Sequence, residues 1–309
     1  MVSRRNIRIE VVQSIFEANF QENELNKQLA LKIFNEKINN TQALYAAIVH
    51  LTYLISQYVT IYANKKASKL LPTAEDKNIN IKIAHNILMT KLKENTSFID
   101  VIKKYKIANL FEEEFVKKLF ILLINTDEYK QYIKNPLQNS LEEKNIIQTI
   151  LNSCIFENEE TANFLAEKYM NWYTDFEMLY SWNEKLLHNI KAFPFNEIIS
   201  AEKMNFAKDL LNCYYDKKEI VFEIIKPKLA NWDPDRIAHI DMIILHVAIC
   251  EFLYFETIPV KVTINEYIDI AKEYSTQQSG VFVNGVLDNI RKELEQQNKI
   301  HKIAFEKNK

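Results

Sequence analysis

The chain has 309 residues, of which 48% are hydrophobic and 12% aromatic, and its formal net charge is −2. This composition suffices for a packed core and excludes a disordered chain. The near-neutral charge excludes a globally basic nucleic-acid-binding protein, so any RNA surface must be a local patch. With only 2 Gly and 6 Pro, the chain is too poor in turn residues for a sandwich, barrel or Rossmann sheet. An all-α fold is therefore predicted.

The spacing of apolar residues predicts a first helix over residues 3–20, with Arg4, Arg5 and Arg8 near its start. Arginines there oppose the helix macrodipole and add nothing to helix stability, which suggests a polyanion as partner. From this feature alone, a solvated basic face is the preferred interpretation. Residues 24–65 predict two helices that separate near 39–41. Further helices are predicted over 81–93, 97–107, 112–134, 141–153, 160–173, 176–192, 201–226, 236–256, 260–274 and 279–297. Asp233 or Asp235 is expected to cap the helix that begins at 236.

The segment 45–63 contains no Asp, Glu, Lys or Arg and is long enough to span a bilayer. It carries a histidine, several hydroxyl side chains and tyrosines, so we interpret it as a buried or partner-facing helix rather than a membrane span.

The N-terminus is not predicted to be a signal peptide, because Glu10 and Glu17 lie where the apolar region of a signal peptide would have to be. Cysteines at 154, 213 and 250 have no paired spacing, which predicts neither disulfides nor a zinc module. The cytoplasm is the predicted location.

The sequence offers few candidates for a catalytic or metal site. His246 and Cys250, four residues apart on one helix, are a possible metal pair, but without a third ligand they indicate core residues. Gly285 lies inside a helical pattern and is expected to allow two helices to approach closely. The chain has no P-loop, nucleophile elbow or Rossmann fingerprint. The sequence therefore predicts no enzyme, no cofactor, no metal and no small-molecule substrate.

Three motifs follow one another in the C-terminal part of the chain. The pattern P-x-K-V-x-I-N-E occupies 259–266, A-K follows at 271–272, and F-V-N-G-V-L-D occupies 282–288. These motifs and their spacing resemble the NusB family. Residues 205–211 and Lys226-Pro227 resemble the family's long third helix. Near the start, Arg4-Arg5-x-x-Arg8 and Val12-Gln13-x-x-Phe16 resemble its arginine-rich first helix.

The resemblance implies a NusB-like fold of two packed helical subdomains, with an added helical bundle. It predicts a first helix over 1–22, a helical insertion of unknown role over 23–158, and the remaining NusB-like part over 159–309. It also implies a non-catalytic transcription antitermination factor. Such proteins pair with the ribosomal protein NusE, bind boxA RNA of nascent ribosomal RNA transcripts, and contact the RNA polymerase elongation complex indirectly.

The resemblance further implies an RNA-binding surface. Guanidinium groups would contact phosphates, an amide would read base edges, and aromatic rings would stack on unpaired bases. The implied RNA-binding residues are Arg4, Arg5, Arg8, Gln13, Phe16, Lys228, Tyr274, Gln278, Ser279 and Phe282. Core packing is the alternative for the aromatic residues. Asp241 is expected to be exposed and to contact NusE, with an ordinary surface carboxylate as the alternative.

The sequence departs from the family pattern at Gln278, where an acidic residue is common, and at Val281, where a basic residue is common. Lys228 replaces a common aromatic residue and is expected to compensate for the charge missing at Val281. These departures leave open a protein–protein scaffold that has no specific RNA binding. A second alternative is an RNA-binding module in ribosomal RNA maturation. A NusB-like domain also begins an rRNA cytosine methyltransferase, but the chain ends soon after Asp288, with no cofactor-binding segment.

Overall fold

The structure, a computed structural model, describes residues 1–21, 26–137, 139–229, 232 and 237–303. All regular secondary structure in these ranges is helical, which confirms the all-α prediction. The α-helices are α1 Arg4–Gln21, α2 Lys27–Ala67, α3 Ala74–Lys77, α4 Ile87–Lys93, α5 Thr96–Lys104, α6 Glu113–Asn125, α7 Asp127–Lys134, α8 Ser140–Thr149, α9 Glu159–Lys168, α10 Trp172–His188, α11 Ala201–Asp216, α12 Lys218–Ile225, α13 His239–Tyr254, α14 Val260–Tyr274 and α15 Ser279–Gln296. Shorter segments are the 3₁₀ helices Lys82–His85, Ile107–Asn109, Ile190–Ala192 and Lys226–Leu229, and the π-helix Ile150–Phe156.

The chain forms two compact units. The first unit contains Ile38–Ile198 together with Met1, and the second contains Val2–Lys37 and Ile199–Lys309. These boundaries differ from the predicted domain boundaries after residues 22 and 158. The reason is that α9 and α10 bury large side chains, including Trp172 and Trp182, within the first unit.

Helix α2 is continuous, so the predicted break near residues 39–41 is wrong. The polar side chains that suggested a turn have tertiary partners in the first unit. The Thr41 hydroxyl donates a hydrogen bond to Asp175 Oδ2 at 2.6 Å, and the Tyr105 hydroxyl donates one to Asn39 Oδ1 at 2.9 Å. Since these groups are satisfied without a turn, the helix can continue through them.

By length and composition alone, α2 could cross a membrane, and it is the one such helix found among the described residues. Within its most apolar window, 67% of the residues are buried inside the protein. Leu44, Ala46, Ile48 and Leu51 are all fully buried. This burial agrees with the interpretation of α2 as a buried helix.

Buried polar groups fix the start of α4 in the first unit. Asn86 caps the helix by accepting hydrogen bonds from Leu88 and Met89, and its Nδ2 donates to the Glu143 backbone carbonyl at 2.9 Å. The buried Glu143 carboxylate accepts from Ile87 N at 2.8 Å and from the Tyr132 hydroxyl at 2.7 Å. Together these contacts hold α4 and α7 against α8.

In the second unit, the central helix is α13. Every residue from Ile243 to Phe252 is buried, so this helix is covered on all sides, and α1, α11, α12, α14 and α15 pack around it. The predicted helix 201–226 is interrupted at Lys217, between α11 and α12. Helix α14 has the predicted bounds, 260–274. The predicted caps Asp233 and Asp235 lie outside the described residues; the residue before α13 is Ala238.

The two glycines have different surroundings. A Cβ added at Gly280 would lie 2.6 Å from Lys272 Cγ, so this position at the start of α15 lets the Lys272 side chain cross it. Gly285 is exposed, and an added Cβ would have no neighbour within 4 Å. The prediction of a close helix approach at Gly285 is therefore wrong.

Stability of the second unit should depend on pH through His246. This residue is 4% exposed, and burial lowers its pKa below the usual value. The positive charge of nearby Lys218 lowers the pKa further, whereas a hydrogen bond to the Met242 carbonyl raises it. Since the folded-state pKa is depressed, the unfolded chain takes up the proton first as pH falls. The stabilisation is therefore complete well above about pH 6.5 and is lost below it.

A His246→Gln variant, which cannot titrate, should lose less unfolding free energy than the wild type between about pH 7.5 and pH 5.5. Urea unfolding at the two pH values measures this difference. Equal losses in the two proteins would show that His246 does not contribute to the pH dependence.

Candidate nucleic-acid interface

The first two arginines lie at the start of α1 in the second unit and are partly exposed. Arg4 Nη2 is 2.6 Å from Glu202 Oε1 on α11. Arg5 is 3.4 Å from both Asp269 and Glu273 on α14. The side chains of Arg4 and Arg5 are 43% and 38% exposed, so both guanidinium groups remain accessible to a phosphate.

Arg8 occupies a different environment, contrary to the expectation that all three guanidinium groups face a polyanion. Its side chain is 3% exposed and donates two hydrogen bonds of 2.8 Å to Glu251 on α13. Thr263 and Tyr267 on α14 donate further hydrogen bonds to the same carboxylate, at 2.6 and 3.3 Å. Burial lowers the pKa of Arg8, but hydrogen bonding to Glu251 and nearby negative charge outweigh it and raise the pKa above its usual value. Arg8 therefore joins α1 to α13 and α14 inside the unit.

The other end of α1 presents aromatic rings. Phe16 is half-buried, and its ring centroid lies 4.7 Å from that of Phe20 and 6.1 Å from that of His239, the first residue of α13. Phe20 is 69% exposed. Phe20 and His239 were not predicted from the sequence. The spacing of Phe16 and Phe20, one helical turn apart, was the available signal for Phe20.

The cationic and aromatic ends of α1 lie on nearly the same helix face. Phe16 follows Arg5 by eleven positions, which is about three helical turns and about 16 Å along the axis. Gln13, between them, is half-buried, and its Oε1 accepts a hydrogen bond from Lys37 at 3.4 Å. A chain of several nucleotides could therefore contact both ends.

The start of α15 brings Ser279, one of the implied RNA-binding residues, beside Asp241 on α13. The buried Ser279 hydroxyl donates a 2.6 Å hydrogen bond to Asp241 Oδ2. Asp241 is 4% exposed, which corrects the expectation of an exposed carboxylate. Its Oδ1 is also buried, and no hydrogen-bond partner for it is found in the described ranges. Thus Asp241 holds the α15 entry in place.

Gln278, directly before α15, is exposed, and Tyr274, at the end of α14, is half-buried. Phe282 is only 5% exposed and packs edge-on against Trp232 at 4.8 Å. Trp232 itself is 44% exposed. Of this pair, therefore, Trp232 presents the accessible aromatic surface.

Lys228 forms an ion pair with Glu293 on α15, which holds the pKa of that carboxyl below its usual value. Because Glu293 already neutralises it, Lys228 compensates less for the positive charge that is missing at Val281. The Val281 side chain is 76% exposed.

A polar groove of about 470 Å³ runs between α14 and α15 near Val281. Its lining residues are Asn265, Ile268, Asp269, Lys272, Gly280, Val281 and Asn284.

Removing the carboxylates around Arg5 should strengthen RNA binding. Exposed ion pairs contribute only about 0–1 kcal/mol, so a phosphate can displace them, but they still compete with it. We expect an Asp269→Asn/Glu273→Gln variant to bind a labelled single-stranded RNA several-fold more tightly in fluorescence anisotropy. Glu75→Gln/Glu128→Gln, which removes the same charge from the first unit, is the control. Equal affinity in both variants would contradict competition at Arg5.

A metal centre has no support within the described ranges, where no group of three or more His, Cys, Asp or Glu side chains could hold an ion. His246 Nδ1 instead lies 2.8 Å from the Met242 carbonyl oxygen. Cys250 is buried, and interaction with Cys213 together with burial raises the pKa of its thiol well above the usual value. These contacts are typical of core residues.

Residues 173–292 match the NusB family model. The chain is 41% identical over 119 residues to transcription antitermination protein NusB of Salinibacter ruber, covering 38% of this chain and 73% of the relative. Identity to the Bacillus licheniformis protein of the same name is 36% over 122 residues, covering 36% and 95%. Identity to the Fervidobacterium nodosum protein is 46% over 110 residues, covering 34% and 78%. No solved structure matches significantly. Because it is at least 36% identical to these relatives over 73–95% of their length, the chain belongs to the NusB family.

Proposed function

We propose that this protein is a non-catalytic, cytoplasmic transcription antitermination factor. In this role it binds boxA RNA of nascent ribosomal RNA transcripts together with the ribosomal protein NusE and reduces termination by RNA polymerase. The observation that carries the proposal is the pair of accessible surfaces on α1. Partly exposed Arg4 and Arg5 lie at one end, and the Phe16, Phe20 and His239 rings lie at the other.

The chemistry of these two surfaces suits single-stranded RNA. Cations contact the backbone without reading sequence, whereas exposed rings stack on unpaired bases. The relatives' shared name, transcription antitermination protein NusB, supports the same role. NusE binding would then add a partner surface, which we propose lies near the N-terminal end of α13, beside Asp241 and His239.

The test is fluorescence anisotropy of a labelled boxA-like RNA and a scrambled RNA, each with and without NusE. We expect tighter binding of the boxA-like RNA and a further increase in affinity with NusE. Replacing both exposed arginines, Arg4→Ala/Arg5→Ala, should weaken binding. It should also reduce the slope of log K against log salt by about 0.7 for each phosphate that is no longer neutralised.

A protein–protein scaffold without specific RNA binding is the second candidate. The observation that favours it is the exposed Val281, where the family commonly has a basic residue, together with the carboxylates that already surround Arg5. Equal and weak binding of both RNAs, together with a stable NusE complex, would select this candidate and reject the RNA-binding proposal.

A further inference from the structure

The first unit contains an open apolar groove that the NusB match does not include. It lies among α2, α4, α5 and the 3₁₀ helix Ile107–Asn109, and its volume is about 420 Å³. The lining residues are His50, Tyr53, Leu92, Lys93, Phe98, Ile99, Ile102, Lys103 and Ala108. Since the family match covers residues 173–292, this groove lies outside the part of the chain that matches the family model.

The apolar side chains of the groove are not all covered by the unit itself. Leu92 and Phe98 are buried beneath it, whereas Ile99 and Ile102, one turn apart on α5, are only half-buried. Residues three apart on a helix lie side by side on one face. The groove therefore offers an apolar strip that a second apolar surface can cover.

The charged groups that line the groove are both positive. Lys93, on α4, places its Nζ 5.3 Å from the centroid of the Tyr53 ring, and Lys103 lies near the end of α5. No carboxylate is among the lining residues. The nearby Glu94 is directed elsewhere, since its Oε2 lies 2.7 Å from Lys191 Nζ. An apolar ligand that carries negative charge would therefore be complementary to this groove.

His50 adds an unused polar atom. Its Nε2 is buried and has no hydrogen-bond partner within the described part of the chain. Burial lowers the pKa of this imidazole below its usual value, while a hydrogen bond to the Ala108 backbone opposes the shift. A neutral imidazole can pair with a polar group of a ligand that enters the groove.

We propose that the groove binds an acidic amphipathic helix of a partner protein. Large apolar side chains at helical spacing would cover Ile99 and Ile102, and Asp or Glu residues beside that apolar stripe would pair with Lys93 and Lys103. Helix-in-groove recognition uses this combination of an apolar stripe with flanking charge. Because the two lysines lie on different helices, each can pair with a carboxylate on one side of the ligand's apolar stripe. This site is separate from the RNA-binding role and gives the insertion a docking function.

The test uses the full chain and a fluorescein-labelled peptide of about 18 residues, which is within the usual range of protein helix lengths, with Leu at positions i, i+3, i+4 and i+7 and Glu at most other positions. Two comparison peptides are used. One has the same composition in scrambled order, and the other has Lys in place of every Glu. We expect anisotropy to show binding of the first peptide and at least tenfold weaker binding of the other two. A Lys93→Glu/Lys103→Glu variant should bind the first peptide at least tenfold more weakly.

Lys91→Glu/Lys168→Glu is the matched control, because these exposed lysines carry the same charge but do not line the groove. It should bind the peptide as the wild type does. An Ile102→Asp variant, checked for folding by circular dichroism, should also lose binding. The proposal is overturned if the scrambled peptide binds equally well, or if both charge-reversal variants bind alike. It is also overturned if dodecanoate binds the groove and the peptide does not. Binding of boxA-like RNA, measured in parallel, should be unchanged in all three variants, so this proposal and the RNA-binding proposal can fail independently.

Discussion

Replacing Glu251 by alanine is expected to lower the unfolding free energy of the second unit by about 3–5 kcal/mol. The variant removes the carboxylate that accepts both Arg8 hydrogen bonds and leaves the Arg8 guanidinium, which is 3% exposed, with only the more distant Glu266, at 3.9 Å, as counter-charge. It also removes the acceptor for the Thr263 and Tyr267 hydroxyls. A buried cation without its partner costs far more than the removal of an exposed pair, which costs about 0–1 kcal/mol.

Urea unfolding, with hydrogen exchange of α1 and α14 as a local readout, measures this loss. An Arg8→Met/Glu251→Leu variant is the control, because it replaces both charges by apolar groups and should retain more stability than Glu251→Ala. A loss of less than about 1 kcal/mol in Glu251→Ala would indicate that water solvates the pair and that Arg8 is not a structural residue.

The structural role of Arg8 decides which arginines can be replaced in a test of RNA binding. A variant that removes all three arginines would lose RNA binding through unfolding of the second unit as well as through the removal of surface cations. The double variant at Arg4 and Arg5 avoids this problem, since their ion pairs with Glu202, Asp269 and Glu273 are exposed. RNA affinity of a folded Arg4→Ala/Arg5→Ala protein therefore reports on the surface alone.

Local sequence patterns predicted the helices well where tertiary contacts reinforced them. Helix α14 has the predicted bounds, because its apolar residues at helical spacing pack against α13 and α15. The break predicted at residues 39–41 failed, because Thr41 finds its hydrogen-bond partner at Asp175, which is 134 residues away. A pattern confined to neighbouring residues cannot show such a partner.

The sequence predicted some residues of the candidate interface and missed others. The family resemblance placed arginines and an aromatic residue on one helix, and the structure has Arg4, Arg5 and Phe16 at least partly exposed. It could not show that Arg8 is buried, because Glu251 is 243 residues away. His239 was missed for the same reason, since only the folded chain brings the start of α13 to Phe16.

The aromatic end of α1 should contribute the largest part of RNA affinity after the backbone contacts. Stacking an unpaired base on an aromatic side chain is worth about 1–3 kcal/mol per base. We therefore expect Phe16→Ala/Phe20→Ala to weaken binding of boxA-like RNA by about 5- to 150-fold for each base that stacks there. The slope of affinity against salt should not change, because rings neutralise no phosphate.

Fluorescence anisotropy over a range of salt concentrations measures both quantities. The control is Tyr173→Ala, which removes an aromatic side chain of similar exposure, 67%, from α10 in the first unit. If Phe16→Ala/Phe20→Ala leaves RNA affinity unchanged but weakens the NusE complex, then these rings contact protein rather than bases. The RNA would in that case depend on Arg4, Arg5 and the polar groove between α14 and α15, which also present accessible polar groups.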